Sequence, residues 1–465
     1  MKSWRLTFLL VSGLGISQLG NWIYFVAINL AILDLTGSAA AIAGLFMIRP
    51  MALLLTNFWS GSIVDRVDVR KLMMLTDIVR GALMVAIPFA SSLWTIYGLV
   101  FLISLAGSFF GPSQSVYITK LIPESERARF NSILGMSGSG AFLLGPAISG
   151  LMIPHWGTDF SIFFNAVTFF VCAALIGLLP SVGKGNVSVV KGACVEEQAS
   201  VDHRASVQEQ ASVNHRASVQ EQASVNHRAS VQEPTPIKEP VPTSSGILPS
   251  ERRKNTWKLL AADWREVGLF ARTAKPFLLI YALFQSSLLI GMAIDSQEAT
   301  FIKLHLGLSE ADYGILLSTT GIGSLAGTFT AALLAKRVSF RWYMGIGTLF
   351  TSLFYFLFYV AGGFWLAAIA FIGLGFSFAY AGTGYATYFQ KEVPTGVMGR
   401  VASASEALQG ALQIVLTLLV GLLADKLGLQ AVCLTFAGLS VLFGLLLALR
   451  MAGNIRSQRD DAFST

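Results

Sequence analysis

The chain has 465 residues, 54% of them apolar and only 13% charged, with 44 Gly and 33 Phe. That balance excludes a water-soluble globule, and long unbroken apolar runs rather than short alternating ones exclude an outer-membrane barrel. The net charge of +7 would suit a nucleic-acid partner, but in a membrane chain the placement of Lys and Arg decides what the charge means.

The first apolar stretch, 6–33, is too long for a signal-peptide core and lacks a small-residue cleavage pattern, so it reads as a retained first span. Further spans are expected at 41–64, 72–90, 94–118, 130–154 and 160–180. A polar stretch follows, and then six more spans at 275–300, 310–335, 341–362, 364–390, 397–424 and 429–450. The fold class is therefore an all-α polytopic membrane protein with twelve transmembrane helices. With the N-terminus cytoplasmic, only Lys303 and Lys426 fall in outer loops, while Arg49 and Arg80 lie within spans and the remaining basic residues face inward. Topology thus accounts for the net charge with no nucleic acid, and both termini are expected in the cytoplasm of a bacterial plasma membrane. Cys172, Cys194 and Cys433 are scattered without CxxC spacing, which gives neither a disulfide framework nor a metal site, and no cofactor is expected.

Between the halves, a twelve-residue unit repeats three times: ASVDHRASVQEQ from Ala199, ASVNHRASVQEQ from Ala211 and ASVNHRASVQEP from Ala223. It is polar and poor in large apolar residues, so 181–254 is expected to be a disordered cytoplasmic linker. His203, His215 and His227 belong to this repeat, and one His per twelve flexible residues preorganises no coordination sphere. In 255–273, Trp257, Leu260, Ala261, Trp264 and Val267 recur at helical spacing beside Arg252, Arg253, Lys254, Lys258 and Arg265, the pattern of an amphipathic helix on the inner leaflet. The expected order is a six-helix bundle over 1–180, the linker, the interfacial helix, a second bundle over 274–452 and a tail over 453–465.

The halves are copies. Arg66, Val67, Arg70 and Met73 match Arg337, Val338, Arg341 and Met344; Lys120, Pro123, Arg129 and Ser132 match Lys391, Pro394, Arg400 and Ser403; Gly150, Leu151 and Gly157 match Gly421, Leu422 and Gly428. Every pair is 271 residues apart. Two six-helix bundles in one orientation imply a pseudo-two-fold axis along the membrane normal and a cavity between them, the architecture of an alternating-access carrier.

The stretch Gly61-Ser-Ile-Val-Asp65-Arg66-Val-Asp68-Val-Arg70-Lys71 resembles the loop signature of the major facilitator superfamily, G-x-x-x-D-R-x-G-R-[KR], with Asp68 in place of the usual Gly and Val69 in place of the first of the paired basic residues. The N-terminal half is similar to the macrolide-efflux type of that superfamily in SQLGNWIYFVAINLAILDLTGS from Ser17, DIVRG from Asp77 and FFGPSQSVYITKLIPESERARFNS from Phe109. That type is similar both to drug exporters and to siderophore and lysophospholipid carriers. By this resemblance Asp65 would meet the positive N-terminal end of span 11 near Gly399 and Arg400 in the outward-facing state, with Arg66, Arg70 and Lys71 adding salt bridges to a cytoplasmic gate. Gly145, Pro146 and Gly150 partly match the G-P-x-x-G-G core of antiporters, and small residues there let span 5 approach a neighbour closely.

An ionisable side chain within a span costs roughly 2.5–3.5 kcal/mol, so each should face a cavity or a partner. Asp77 and Arg80, three apart in span 3, can pair on one face, beside the gate network by resemblance. Arg49, before Pro50 in span 2, either attracts an anion or pairs with an acid on another span. Asp295 and Glu298 at the outer end of span 7 would hinder each other's ionisation, which suits proton coupling unless both are simply solvated. Glu406 in span 11 is a second coupling residue, or else a partner of Arg400 or of a helix end. Gln18, Asn21, Asn29, Gln114, Asn131, Gln285, Gln409 and Gln413 are the polar residues expected to line a water-filled path.

The expected function is a monomeric secondary transporter exporting small apolar compounds in exchange for protons, or a siderophore or lysophospholipid carrier, or an uncoupled facilitator. No Walker sequence, HExxH or GxSxG occurs, and His155 and His305 sit at loop edges, which argues against a pump driven by ATP and against an intramembrane enzyme. A membrane sensor would bind substrate without passing it.

Overall fold

The computed structural model describes residues 2–56, 63–64, 67–181, 268, 272–334 and 337–463. The expectations for the linker, for most of the interfacial segment, and for Gly61, Asp65 and Arg66 lie outside those residues.

The described chain is almost entirely helical. In order come α1 (Lys2–Thr36), α2 (Ala39–Thr56), α3 (Val69–Ala86), α4 (Leu93–Leu121), α5 (Glu124–Gly177), α6 (Lys275–Asp295), α7 (Glu310–Leu334), α8 (Phe340–Val360), α9 (Phe364–Glu392), α10 (Thr395–Leu427) and α11 (Leu429–Phe463). All eleven are long and apolar enough to cross a bilayer. A straight helix of 54 residues would run about 80 Å against a hydrocarbon core of about 30 Å, so α5 must double back. It does so at Gly157, where φ is 79° and ψ 171°. Ser137 of the first arm approaches Gly15 of α1 while Leu175 of the second approaches Gly13, so the two arms run side by side. Counted this way, the chain makes the twelve spans expected.

One span is shorter than expected. The run 275–300 reads as a single helix, but α6 stops at Asp295, and after Ser296 and Gln297 the chain forms a helical turn, Glu298–Thr300, and a π-helical turn, Phe301–His305. Ser296 and Gln297, both fully buried, are polar residues that hydropathy alone cannot separate from a span end.

Successive spans alternate in direction, which sorts the connections onto two faces. One face carries the N-terminus and the ends of 182–267, and is called here the linker face. The other, the far face, is built of tight reversals: Gly37, Gly157, Gly307 and Gly428, all the glycines with positive φ among the described residues, lie there. A side chain at any of them would force an L residue into the left-handed region.

Packing repeats between the halves. In the first, α3 packs on α4 and on the second arm of α5, α2 on α4, and α1 on α5; in the second, α8 packs on α9 and α11, α7 on α9, and α6 on α10 and α11. Across the halves, α2 meets α10 and α5 meets α7, the reciprocal pairing a two-fold axis requires. The residues at these crossings obey the 271 offset. A Cβ on Gly150 would lie 3.2 Å from Ala311 Cα and 3.1 Å from Gly314 Cα; a Cβ on Gly421 would lie 3.1 Å from Ala40 Cα and 2.5 Å from Ala43 Cβ. Ala40 and Ala43 stand 271 residues before Ala311 and Gly314. Gly150 of the antiporter-like pattern is therefore where backbones of the two halves touch, with Pro146 contributing its carbonyl to the same contact with Gly314, whereas Gly145 packs on Leu19 and Trp22 of α1 within its own half.

Candidate functional site

At the far face the halves are joined by a polar latch. Asp425, the last acid of α10, accepts from Ser38 Oγ at 2.7 Å, from the Ala39 N–H at 2.9 Å and from the Ala40 N–H at 3.2 Å. It caps α2 from the other half, satisfying N–H groups that a helix start leaves unpaired and placing a negative charge at the positive end of the helix dipole. Next to it, the Gln297 side-chain amide donates to the Ala39 carbonyl at 3.3 Å and to Ser296 Oγ at 2.9 Å. Toward the linker face, Gly135, Gly138 and Gly140 on the first arm of α5 face open space, while Leu54 of α2 still approaches Gly410 of α10.

Gln297 lies between the two carboxylates singled out in the sequence. Asp295 ends α6 and accepts from Tyr355 Oη of α8 at 2.5 Å; Glu298 opens the following turn within hydrogen-bonding reach of Asp295. Tyr359 Oη donates to the Ile294 carbonyl at 2.6 Å, and the fully buried Phe301 packs edge-on against Phe358 and Tyr359. Both carboxylates are half-buried. Two acids held this close share one proton more readily than they carry two charges.

A second polar cluster sits at mid-membrane in the first half. Arg80 Nη1 is 3.3 Å from Asp77 Oδ1, and its Nη2 donates to Asn21 Oδ1 of α1 at 3.4 Å. The guanidinium lies 4.0 Å from the Phe169 ring centroid, a cation–π contact from the second arm of α5. Asp77 is fully buried and Arg80 keeps a little exposure. The pair expected from spacing is therefore formed, with two aromatic or amide partners no local pattern indicates.

The equivalent junction of α6, α8 and α11 is neutral. Ser287, Ser352 and Ser440 form a buried triangle with Oγ separations of 2.9, 2.9 and 2.8 Å. Nearer the linker face, Gln285 donates to Gln409 Oε1 at 3.1 Å, tying α6 to α10 beside stacked Phe284 and Tyr385 rings with centroids 4.5 Å apart.

The other polar residues expected to line a path are dispersed. Gln18 and Asn131 are exposed, Gln114 and Gln413 are half-buried, and Asn29 is fully buried, donating to its own helix at the Phe25 carbonyl, 2.7 Å away. Arg49 and Glu406 are exposed on α2 and α10. Among the gate residues, Arg70 donates to the Ile176 carbonyl at 3.2 Å and to the Gly177 carbonyl, so its guanidinium caps the end of α5 within its own half. Lys71 and Arg400 are exposed. Asp68, where the family signature has Gly, N-caps α3 by accepting from the Arg70 N–H at 3.1 Å and takes a 2.8 Å hydrogen bond from Ser181. Partial burial alone would raise its proton affinity; the bonds from Ser181 and from the Lys71 and Arg70 N–H groups, with the Lys71 charge, outweigh that and hold its carboxyl below the usual carboxylate range.

Asp425, Gln297 and the serine triangle were not indicated by the sequence. Asp425 does leave one trace: 271 residues earlier stands Pro154, so an acid appears on one copy only.

A family model described as Major Facilitator Superfamily matches residues 10–296 and 279–462. Among curated proteins, the chain is 28% identical over 166 residues to an uncharacterized MFS-type transporter, YfiS, of Bacillus subtilis strain 168, covering 36% of this chain and 40% of that protein. It is 27% identical over 169 residues to the multidrug resistance protein MdtH of Salmonella arizonae, covering 36% and 41%. The matched stretch spans about two fifths of the length of these relatives. Among solved structures, the nucleoside transporter NupG superposes with a TM-score of 0.66 at 14% identity over 96% of this chain and 98% of that one. A bacterial homolog of the human lysosomal transporter Spinster, solved inward-facing and unoccupied, gives 0.62 at 14% over 97% and 98%. These likenesses establish the fold, and the family match establishes the lineage. The chain is a multi-pass membrane protein, and it belongs to the Major Facilitator Superfamily.

Proposed function

We propose that this protein is a transporter, a proton-coupled exporter of small, largely apolar compounds that works as a monomer by alternating access between two bundles. Segments 181–273 and 453–465 lie on the cytoplasmic side of a bacterial cell membrane, as the inward bias of Lys and Arg favours. The linker face is then cytoplasmic, and the far-face latch is an outer gate in its closed position. The similarity to MdtH and the macrolide-efflux pattern of the N-terminal half support export of drug-like molecules.

One observation carries the coupling. The buried Gln297, which bonds to Ala39 at the capped start of α2, is flanked in sequence by Asp295 and Ser296 on one side and Glu298 on the other. Opening the gate breaks the Gln297–Ala39 bond and so frees the segment that holds the carboxylate pair. With the gate open, outside water reaches the pair and loads its proton; with the gate closed, the pair is withdrawn and its proton leaves toward the cytoplasm. Binding free energy that differs between the two states is what drives the exchange.

The test is accumulation of a fluorescent drug panel in energised inverted vesicles by the native chain, Asp295→Asn, Glu298→Gln and Glu406→Gln. Loss of gradient-driven uptake in the first two, with substrate exchange at zero gradient retained, is the expected result. Undiminished gradient-driven uptake in all three variants overturns the coupling assignment.

A further inference from the structure

Arg49 is unexplained by the packing described so far. It is exposed in the middle of α2, and among the described residues it has no hydrogen-bond or ion-pair partner. A guanidinium left in this state is costly against lipid, so its place is a wall that meets water or an anion.

The ring contacts say which wall. Phe46, one turn before Arg49 on the same helical face, meets Phe25 of α1 with centroids 5.8 Å apart. Phe25 meets Trp22 at 5.6 Å, and Trp22 meets Phe142 of α5 at 4.4 Å. Helices α1 and α2 run in opposite directions. One turn toward the linker face from the Phe25–Phe46 contact therefore brings Asn21 and Trp22 on α1 level with Arg49 on α2. Asn21 is the acceptor of Arg80, whose charge interacts through space with that of Arg49. Arg80 has a counterion in Asp77; among the described residues Arg49 has none. The buried Tyr24 hydroxyl, unpartnered and within the field of Arg80, is a further free donor close by.

The assembled surface is one uncompensated guanidinium bordered by an aromatic wall of Trp22, Phe25, Phe46 and Phe142. We infer that Arg49 is a substrate-recognition residue and that the preferred cargo is an amphiphile with an oxyanion head, carboxylate or phosphate, on an aromatic or aliphatic body. The planar fork of Arg49 matches either oxyanion in two parallel hydrogen bonds, and the rings cover the apolar part. This inference rests on the exporter reading and narrows its substrate class.

The experiment uses the full chain in proteoliposomes with pyrenebutyrate, its primary amide and pyrenylbutyl phosphate, followed by fluorescence. The native protein should bind the carboxylate or the phosphate about tenfold more tightly than the amide, as a charge-assisted pair implies. Arg49→Gln should collapse that ratio, and Arg49→Lys should retain part of it. Comparing the two anions tells which head is preferred. Equal affinity of the native chain for anion and amide, or an equal loss of both probes in Arg49→Gln, overturns the inference. Gradient-driven movement is read separately. Extrusion of all three probes without anion preference ends this inference and leaves the exporter reading, whereas anion-selective binding with no gradient-driven movement of any probe ends the exporter reading alone.

Discussion

The junction of α1, α3 and the second arm of α5 and the junction of α6, α8 and α11 occupy the same place in two copies of one fold, yet they are held by opposite chemistry. Ser440 stands 271 residues after Phe169, and Ser352 after Gly81. Where the second copy closes three hydroxyls into a ring, the first buries an aspartate and stacks its arginine on an aromatic face. The hydroxyl ring is neutral and satisfies itself, with the Thr348 and Ser287 carbonyls as further acceptors. The ion pair bears a desolvation cost and remains worthwhile only with both members present. Duplication supplied the packing, and afterwards the polar groups diverged. The first half keeps charge at mid-membrane, beside Arg49; the second has a neutral mid-membrane junction and carries Asp295, Glu298 and Asp425 at the far face.

The sharpest way to break this comparison is to remove one member of the pair. Arg80→Met leaves Asp77 buried and uncompensated and should destabilise the protein by about 3–5 kcal/mol, read as a lowered thermal unfolding midpoint of the purified chain. Adding Asp77→Asn to Arg80→Met should recover much of that loss, since replacing both partners of a buried pair is far milder than orphaning one. If Arg80→Met unfolds with the native protein, the pair is not structural and the contrast between the junctions fails.

Sequence reading reached the spans because hydropathy over about twenty residues is a local property, and it reached the duplication because Gly150 and Gly421 keep the same neighbours in each copy. It reached Asp77 and Arg80 because charge within a span is conspicuous. It missed Asp425 because the partners Ser38, Ala39 and Ala40 lie nearly the whole chain away, and an acid at a helix end ordinarily reads as solvated. It missed the serine triangle because three serines on three helices carry no local signal until the helices are placed. The break after Asp295 escaped because Ser296 and Gln297 look like a frayed span end, whereas they are the buried connection between the carboxylate pair and the latch.

The latch belongs to the same contrast, since it exists on one copy only. Removing the carboxylate in Asp425→Ala should weaken the closed far face by about 1–2 kcal/mol, the usual worth of a helix cap strengthened by charge. The population with an open far face should rise accordingly. Spin labels at Leu35 and Leu427, both exposed at the far face on opposite halves, would report a growing long-distance component. Asp425→Asn, which still accepts from the α2 N–H groups, should fall between. An unchanged distance distribution in Asp425→Ala would show that glycine packing and the Gln297 bond close this face without the carboxylate.

The smallest effect should come from the hydroxyl ring. Ser352→Ala removes two sides of the triangle but leaves Ser287 and Ser440 2.9 Å apart, with Ser440 also reaching the Ser287 carbonyl at 3.4 Å, so neither remaining hydroxyl is orphaned. A neutral hydrogen bond lost without leaving an unsatisfied group costs about 1 kcal/mol. The methyl side chain fits the space, because alanine is serine without its hydroxyl. Measured in the same unfolding assay, Ser352→Ala should therefore lose a fraction of what Arg80→Met loses, although each residue stitches a three-helix junction in its own half. Equal losses would mean that closeness of packing, and not the chemistry of the polar groups, sets the stability of both junctions, and the two halves would then differ in sequence without differing in how they are held.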